Sequence, residues 1–407
     1  MMELKKYKLG DLLDVKRGTS LSGEYYSTEG DYVRLTCGNF DYTNNSFKEN
    51  TSKDNIFYTG NVREEFIMQK GDIITPLTEQ AIGLLGSTAI IPESNKYIQS
   101  QDVAKIICNE TLLYPLYAFY LISSEIVKKQ LSAAAQQTKI RHTSPDKIKD
   151  CIVWIPELPE QTRIASILSA LDRKIALNRQ INQNLEALAR QLYDYWFVQF
   201  DFPDANGKPY KSSGGKMVYN PILKREIPEG WEVKRLQTIV NISRGSIITE
   251  SQSHIGNVKV VAAATNYSYF HNVANRTANV ITISSSGANA GYINFWREPI
   301  FASDCITIQA NNDIDTILVY HNLELYKQFI MQNSHGSAQP HVYPSDIQDL
   351  PFICIPEELK ERISELYLEL NIDIANNLKE IESLTKQRDE LLPLLMNGQV
   401  NFDLSDD

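Results

Sequence analysis

The sequence predicts an α+β fold of two tandem-repeated α/β units, joined by two long helices that pair as an antiparallel coiled coil about a pseudo-two-fold axis. Three observations lead there. Short matches recur in the same order in the two halves of the chain. Strand-like runs between turn residues fill the first part of each copy. A heptad-spaced seam fills the second part.

The repeat comes first. Leu9–Gly18 (LGDLLDVKRG) is matched by Leu236–Gly245 (LQTIVNISRG), and Gly71–Ile91 by Asn279–Phe295 in outline. Ser100–Ile107 matches Ser303–Gln309, Gln136–Asp150 matches Gly336–Asp349, and the junction from Trp154 to Gln180 matches that from Cys354 to Asn377. Each match alone is weak, but their common order makes the chain a tandem duplication. The copies divide into residues 1–154 and 201–353, globular, and residues 155–200 and 354–407, helical.

In the globular parts, DIITPL, STAIIP, VAKIIC, VITISS and ITIQA read as strands from their β-branched content and flanking turn residues. Leu112–Leu131 and Thr316–Gln332 read as one amphipathic helix in each copy. Asp204–Lys216 (DANGKPYKSSGGK) reads as a flexible linker.

In the helical parts, Ile164, Leu168, Leu171, Ile175, Asn178, Asn182, Leu185, Ala189, Leu192 and Trp196 alternate steps of four and three. Ile363, Tyr367, Leu370, Ile374, Asn377, Ile381, Leu384, Arg388, Leu391 and Leu395 do the same. A mean period of 3.5 is that of a coiled-coil seam. Each helix of about 38 residues would be about 57 Å long at 1.5 Å per residue. Asn178 and Asn377 hold equivalent seam positions; asparagine there fixes register, and the competing reading is a polar residue facing out of an imperfect seam. Pro393 is expected to kink or end the second helix, with Gly398 as its stop.

Composition limits the function classes. The 407 residues are 43% hydrophobic and 22% charged. No apolar run reaches the roughly 18 residues of a membrane span, and MMELKKYKLG lacks the apolar core of a signal peptide. Five scattered cysteines without CxxC spacing fit buried thiols in a reducing cytoplasm. Of the net charge of −10, residues 354–407 hold 5 Lys+Arg against 13 Asp+Glu, whereas residues 1–154 hold 18 against 19 and residues 201–353 hold 12 against 13. The acidity is therefore local to the last helix and tail, which is either a solvated face or a protein-docking one.

Two globular heads on a two-fold rod of fixed length suit the reading of two half-sites on one duplex. The motifs LPEQTRIASILSALDRKI (158–175), YDYWFVQFDF (193–202) and IPEGWEVKRL (227–236) resemble the specificity (S) subunit of type I restriction-modification enzymes, and the order of regions matches that family over essentially the whole chain. The second junction, IPEELKERI, departs from the PEQ of the first. The resemblance implies a cytoplasmic subunit without catalysis of its own. Each target-recognition domain would read one half of an asymmetric bipartite DNA site, and the helices would set the unread spacer. Two methyltransferase subunits would be held, and through them restriction subunits recruited. S-adenosylmethionine, ATP and magnesium would belong to those partners, leaving this chain no cofactor.

The residues themselves carry no GxxxxGK[ST], no GxGxxG and no metal-ligand spacing among the six histidines. Glu358-Leu359-Lys360 with Asp346 or Asp349 superficially resembles a nuclease set, but it falls on a helix start, where Glu358 suits the helix dipole. Candidate DNA ligands lie on recurring loops. Arg17 and Arg244 end the first run of each copy, and suit phosphate or guanine contacts as well as a plain solvated turn. Gln137, Lys139, Arg141, Gln339 and His341 precede the junctions, and Asn39 and Asn266 sit in amide- and aromatic-rich loops that suit adenine edges or turns. Neither head is basic, so the isolated chain is expected to bind DNA weakly and to need its partners. The alternatives are a structural adaptor of the same fold that has lost DNA reading and, disfavoured by the missing motifs, a cryptic nuclease or methyltransferase.

Overall fold

The computed structural model describes residues 3–51, 54–79, 83–134, 141–334 and 340–400. Contacts divide the chain into two compact units, Met1–Ile175 with Glu382–Asp407, and Ala176–Ile381. Each long helix thus gives one stretch to each unit, whereas the sequence sets the helices apart as regions of their own.

The first unit is built on a four-stranded antiparallel sheet in the order Ala89–Ile90, Ile73–Pro76, Val103–Cys108, Leu13–Arg17. Every residue of Ile73–Pro76 is buried, as expected of an inner strand covered on both faces. A second sheet runs Tyr97–Ile98, Tyr32–Arg34, Phe57–Tyr58, Tyr26–Ser27, its first pair parallel. The chain start, Lys5–Lys8, pairs with Ile152–Ile155, the strand that leads into the first long helix.

The second unit repeats this plan. Its main sheet runs Ile293–Trp296, Val280–Ser284, Cys305–Ala310, Val240–Arg244, the same order with the same antiparallel pairings. Its smaller sheet, Tyr269–His271, Val258–Val261, Phe301–Ala302, again contains one parallel pair. Glu232–Arg235 pairs with Pro351–Cys354 ahead of the second long helix. The duplication read from the sequence is therefore a duplication of topology. The fold is mixed α+β, and no helix among the described residues is long and apolar enough to cross a membrane.

Four local expectations are corrected. The helix over 112–131 is two helices, Pro115–Ser123 and Glu125–Ala134, because Ser124 is extended and the Ser123 and Ser124 hydroxyls donate to the carbonyls of Phe119 and Leu121. Nor is the first piece amphipathic: Tyr117 to Ser123 are all buried. The second copy breaks likewise at Tyr326, between Asp313–Leu325 and Lys327–Gln332. The second long helix, Glu357–Met396, runs through Pro393. Burial of Leu395 and Met396 in the first unit's core holds that last turn, and Gly398 at φ +66° then ends it.

The stretch 204–216 is a folded turn instead of a loose linker. Asp204 Oδ1 accepts from the backbone of Asn206 and Lys208, and Asp201 accepts from both the N–H and the hydroxyl of Ser212. The Phe202 ring is sandwiched between Tyr210 and Trp231 at 4.7 and 4.8 Å.

Candidate nucleic-acid interface

The recurring Lys-Arg-Gly and Ser-Arg-Gly corners close the outer strand of each main sheet. A Cβ on Gly18 would lie 2.2 Å from the Ser100 carbonyl oxygen, and one on Gly245 2.1 Å from that of Ser303. Only glycine lets the strand end dock against this backbone, and docking fixes the arginine just before it. In the first unit Arg17 Nε donates to the Gln101 carbonyl at 2.8 Å, leaving the rest of its exposed guanidinium outward. In the second, the Arg244 guanidinium carbon stands 5.3 Å from the centre of the Tyr343 ring.

The loops ahead of the junctions reach the same end of each sheet. Arg141–His142 pairs with Thr78–Glu79, and His341 bridges Ser286. His341 stacks on Tyr343 with ring centres 6.3 Å apart. Asn266 is exposed between the strands Val258–Val261 and Tyr269–His271, its Oδ1 accepting from the Tyr267 N–H. Asn39 is placed otherwise. It is fully buried, its Oδ1 accepts from the Thr36 N–H and its Nδ2 donates to the Lys48 carbonyl. Asn39 thus locks a turn, and no adenine edge has access to it. Gln137, Lys139 and Gln339 lie outside the described residues, as does the side chain of Arg141.

Sequence reasoning missed Tyr343 and Arg276. Arg276 donates to Thr307 Oγ1 at 3.0 Å, to Ser243 Oγ at 3.1 Å and to the Arg244 carbonyl at 3.1 Å, bracing the corner from behind. The signal for Tyr343 was an aromatic two residues after His341. Arg276, at an isolated bridge to Ile300, left no signal. The nuclease-like set is dispersed: Lys360 is paired with Asp315 and Glu357, Asp349 with Arg235, and Asp346 accepts from the Tyr343 N–H.

The helices supply a different kind of site. In the first unit Ile164, Leu168 and Ile175 are buried and Leu171 half-buried, and Asp172 accepts from Tyr120 at 2.6 Å and from Arg388 at 3.1 Å; Leu384 is buried in the same unit. In the second unit Ile363, Tyr367, Leu370 and Ile374 are buried, and the helix stretches run antiparallel: Asn178 donates to Glu380 at 2.7 Å, Asn377 to Asn182 at 2.9 Å, and Tyr367 to the Ala189 carbonyl at 3.3 Å. Asn178 and Asn377 thus each bond across the helix pair, though not to each other.

Each globular part is fastened to a helix start. Gln161, the glutamine of PEQ, is buried; its Oε1 accepts from the Tyr114 N–H, and its Nε2 donates to the Leu112 and Pro156 carbonyls, each at 2.9 Å. Lys360 holds the matching place in the second copy, where the acids Asp315 and Glu357 receive it. Burial alone would lower the Lys360 pKa; the Glu357 hydrogen bond and the Asp315 charge outweigh it and hold the ammonium above its ordinary value. The departure from PEQ is thus an exchange of one internal fastener for another.

The second unit's aromatic junction adds a neutral histidine. His321 lies against Tyr193, Tyr320 and Tyr367, and burial, aided by the Arg297 and Arg190 charges, pushes its pKa down to about 3. Arg297 ties this junction to both helices through Asn371 at 2.8 Å and Glu186 at 3.3 Å. The cysteines are free, and burial pushes Cys108 and Cys305 up to about 12, which keeps them as unreactive thiols.

The fold defines a class of protein: a duplicated α+β unit with matching arginine corners, each copy fastened to a long helix. The chain belongs to the family described as "Type I restriction modification DNA specificity domain", whose profile matches residues 1–187 and 228–385. It is 25% identical over 366 residues to the "Type I restriction enzyme MjaIX specificity subunit" of Methanocaldococcus jannaschii, covering 83% of this chain and 79% of that one. To the "Type I restriction enzyme HindI specificity subunit" of Haemophilus influenzae it is 28% identical over 203 residues, 49% of this chain and 42% of that one. In fold it is similar to the crystal structure of the type I restriction-modification S subunit from M. genitalium, with a TM-score of 0.60 and 18% identity over 97% of this chain and 96% of the other.

Proposed function

We propose that this chain is the DNA-reading subunit of a type I restriction-modification complex. Each globular part reads one half of a bipartite site, and the length of the helix pair sets the unread spacer. The observation that carries the reading is the pair of corners. The same sheet end presents an arginine in both copies, Arg17 set on a carbonyl and Arg244 set on an aromatic ring. Equal placement with unlike surroundings suits two related half-sites of different sequence, hence an asymmetric target.

The helices would hold two methyltransferase subunits and, with them, restriction subunits. S-adenosylmethionine, ATP and magnesium would be bound by those partners, in the cytoplasm. With near-neutral heads, tight DNA binding draws on the partners' phosphate contacts.

The test is a map of methylated bases in the host with the gene intact and deleted. Loss of one bipartite motif on deletion supports the proposal and yields both half-sites. An unchanged map in a host that expresses the methyltransferase subunits overturns it in favour of the adaptor reading. Inserting one heptad into each long helix should lengthen the spacer while leaving both half-sites intact.

A further inference from the structure

We propose that Tyr343 is a positioning residue that holds Arg244 in one plane against a guanine of the half-site read by the second unit. This rests on the DNA-reading proposal above and adds to it a residue and a base.

Arg244 is fixed at two levels. Its backbone is set by the Arg276 guanidinium on its carbonyl and by the docked Gly245 that follows. Its side chain makes no hydrogen bond to a described residue, so the five N–H donors of the fork stay open to a ligand while the guanidinium carbon stands 5.3 Å from the centre of the Tyr343 ring. The ring is itself held: Tyr343 N–H donates to Asp346 Oδ2 at 2.8 Å, Val342 N–H to the Ser285 carbonyl at 2.9 Å, and His341 stacks beside the ring at 16° between planes. Tyr343 stays 39% exposed, so a large aromatic is kept at the surface within reach of both His341 and the arginine.

The first copy shows what the position does without this task. By the match of Gln136–Asp150 to Gly336–Asp349, Tyr343 replaces Ser144, whose hydroxyl accepts from the Lys147 N–H as the cap of Pro145–Lys149. The second copy forgoes that cap for a ring. A guanidinium held flat presents two coplanar donors, the geometry that guanine O6 and N7 accept, and a free arginine would have to be ordered on binding.

The experiment uses the whole methyltransferase complex, with Arg244→Ala, Tyr343→Leu and Tyr343→Phe introduced into this chain, and reads the methylated motif together with competition binding of duplexes changed at single positions. Arg244→Ala should lower discrimination at one guanine of one half-site by about 5–150-fold. Tyr343→Leu should lower it at the same guanine by about 2–5-fold, Tyr343→Phe should restore it, and the other half-site should stay as sharp as in the parent. Tyr343→Leu without effect, beside an effective Arg244→Ala, overturns the positioning role. Sharp motifs in all three variants overturn the role of Arg244, while loss of the motif on gene deletion would still uphold the DNA-reading proposal. If Tyr343→Leu weakens binding equally at both half-sites, Tyr343→Met decides: a second uniform loss makes the residue structural and sinks the idea, and a loss confined to the one guanine upholds it.

Discussion

Replacing Gln161 by leucine keeps the side-chain volume and removes three hydrogen bonds from a place that is 1% exposed. The Tyr114 N–H then has no acceptor inside the unit, which costs about 1–3 kcal/mol. The Leu112 and Pro156 carbonyls each lose a neutral bond worth about 0.5–1.5 kcal/mol. Leucine's apolar burial offsets part of this, leaving a loss of about 2–4 kcal/mol. A chain of two compact units need not unfold in one step. Hydrogen exchange of residues 112–164, compared with the matching segment of the second unit, is therefore the assay that isolates the effect. Faster exchange should be confined to the first unit, and Thr162→Ala, one residue on and exposed, should stay within about 0.5 kcal/mol. Exchange unchanged to within that margin in Gln161→Leu would refute the fastener argument.

His321 gives a pH signature. Its folded pKa of about 3 lies below the ordinary value of 6.5, so the unfolded chain binds a proton that the folded chain refuses. Stability is complete above about pH 6.5 and should fall by about 1.4 kcal/mol per pH unit below it. Urea melts between pH 7 and pH 5 should show that slope in the second unit, and His321→Phe should flatten it. Gly245→Ala forces a methyl to within 2.1 Å of a backbone oxygen; an overpacking loss of about 1–3 kcal/mol is expected in the melt, together with a blurred half-site. Arg297→Met removes charge-assisted bonds to Asn371 and Glu186 and should destabilise the second unit by about 2 kcal/mol in thermal unfolding. The purified chain alone should bind its site weakly in fluorescence anisotropy; nanomolar sequence-specific binding without partners would overturn the charge argument.

The parts of the fold that were legible are those where one side-chain period governs. Val103–Cys108 and Cys305–Ala310 are β-branched inner strands, and the alternating steps from Ile164 and from Ile363 follow the buried stripe of each helix. The smaller sheets were not legible because strands such as Tyr97–Ile98 and Phe57–Tyr58 have two residues, too few to express a period. The breaks at Ser124 and Tyr326 and the passage through Pro393 are decided by tertiary packing, which overrides local propensity. At the candidate interface, the corners showed themselves through repetition, since docking demands glycine in both copies. Asn39 misled because a reading amide and a turn-locking amide share one sequence environment. Tyr343 was missed because an aromatic near His341 does not reveal that its ring meets an arginine 99 positions away in the chain.

The two fasteners bear on where a head could be exchanged between two related chains. Gln161 lies beyond the last strand of the first globular part yet bonds Leu112 and Tyr114 within it, and Lys360 bears the same relation to Asp315. A crossover at residue 154 would hand an incoming head to a helix start shaped for another: a head of the second type would set Asp315 against an amide, and one of the first type would leave Lys360 with Glu357 as its one acid of the pair. Viable mosaics should therefore break inside the helices, past Gln161 and Lys360. A head and the first turns of its helix form one packed block.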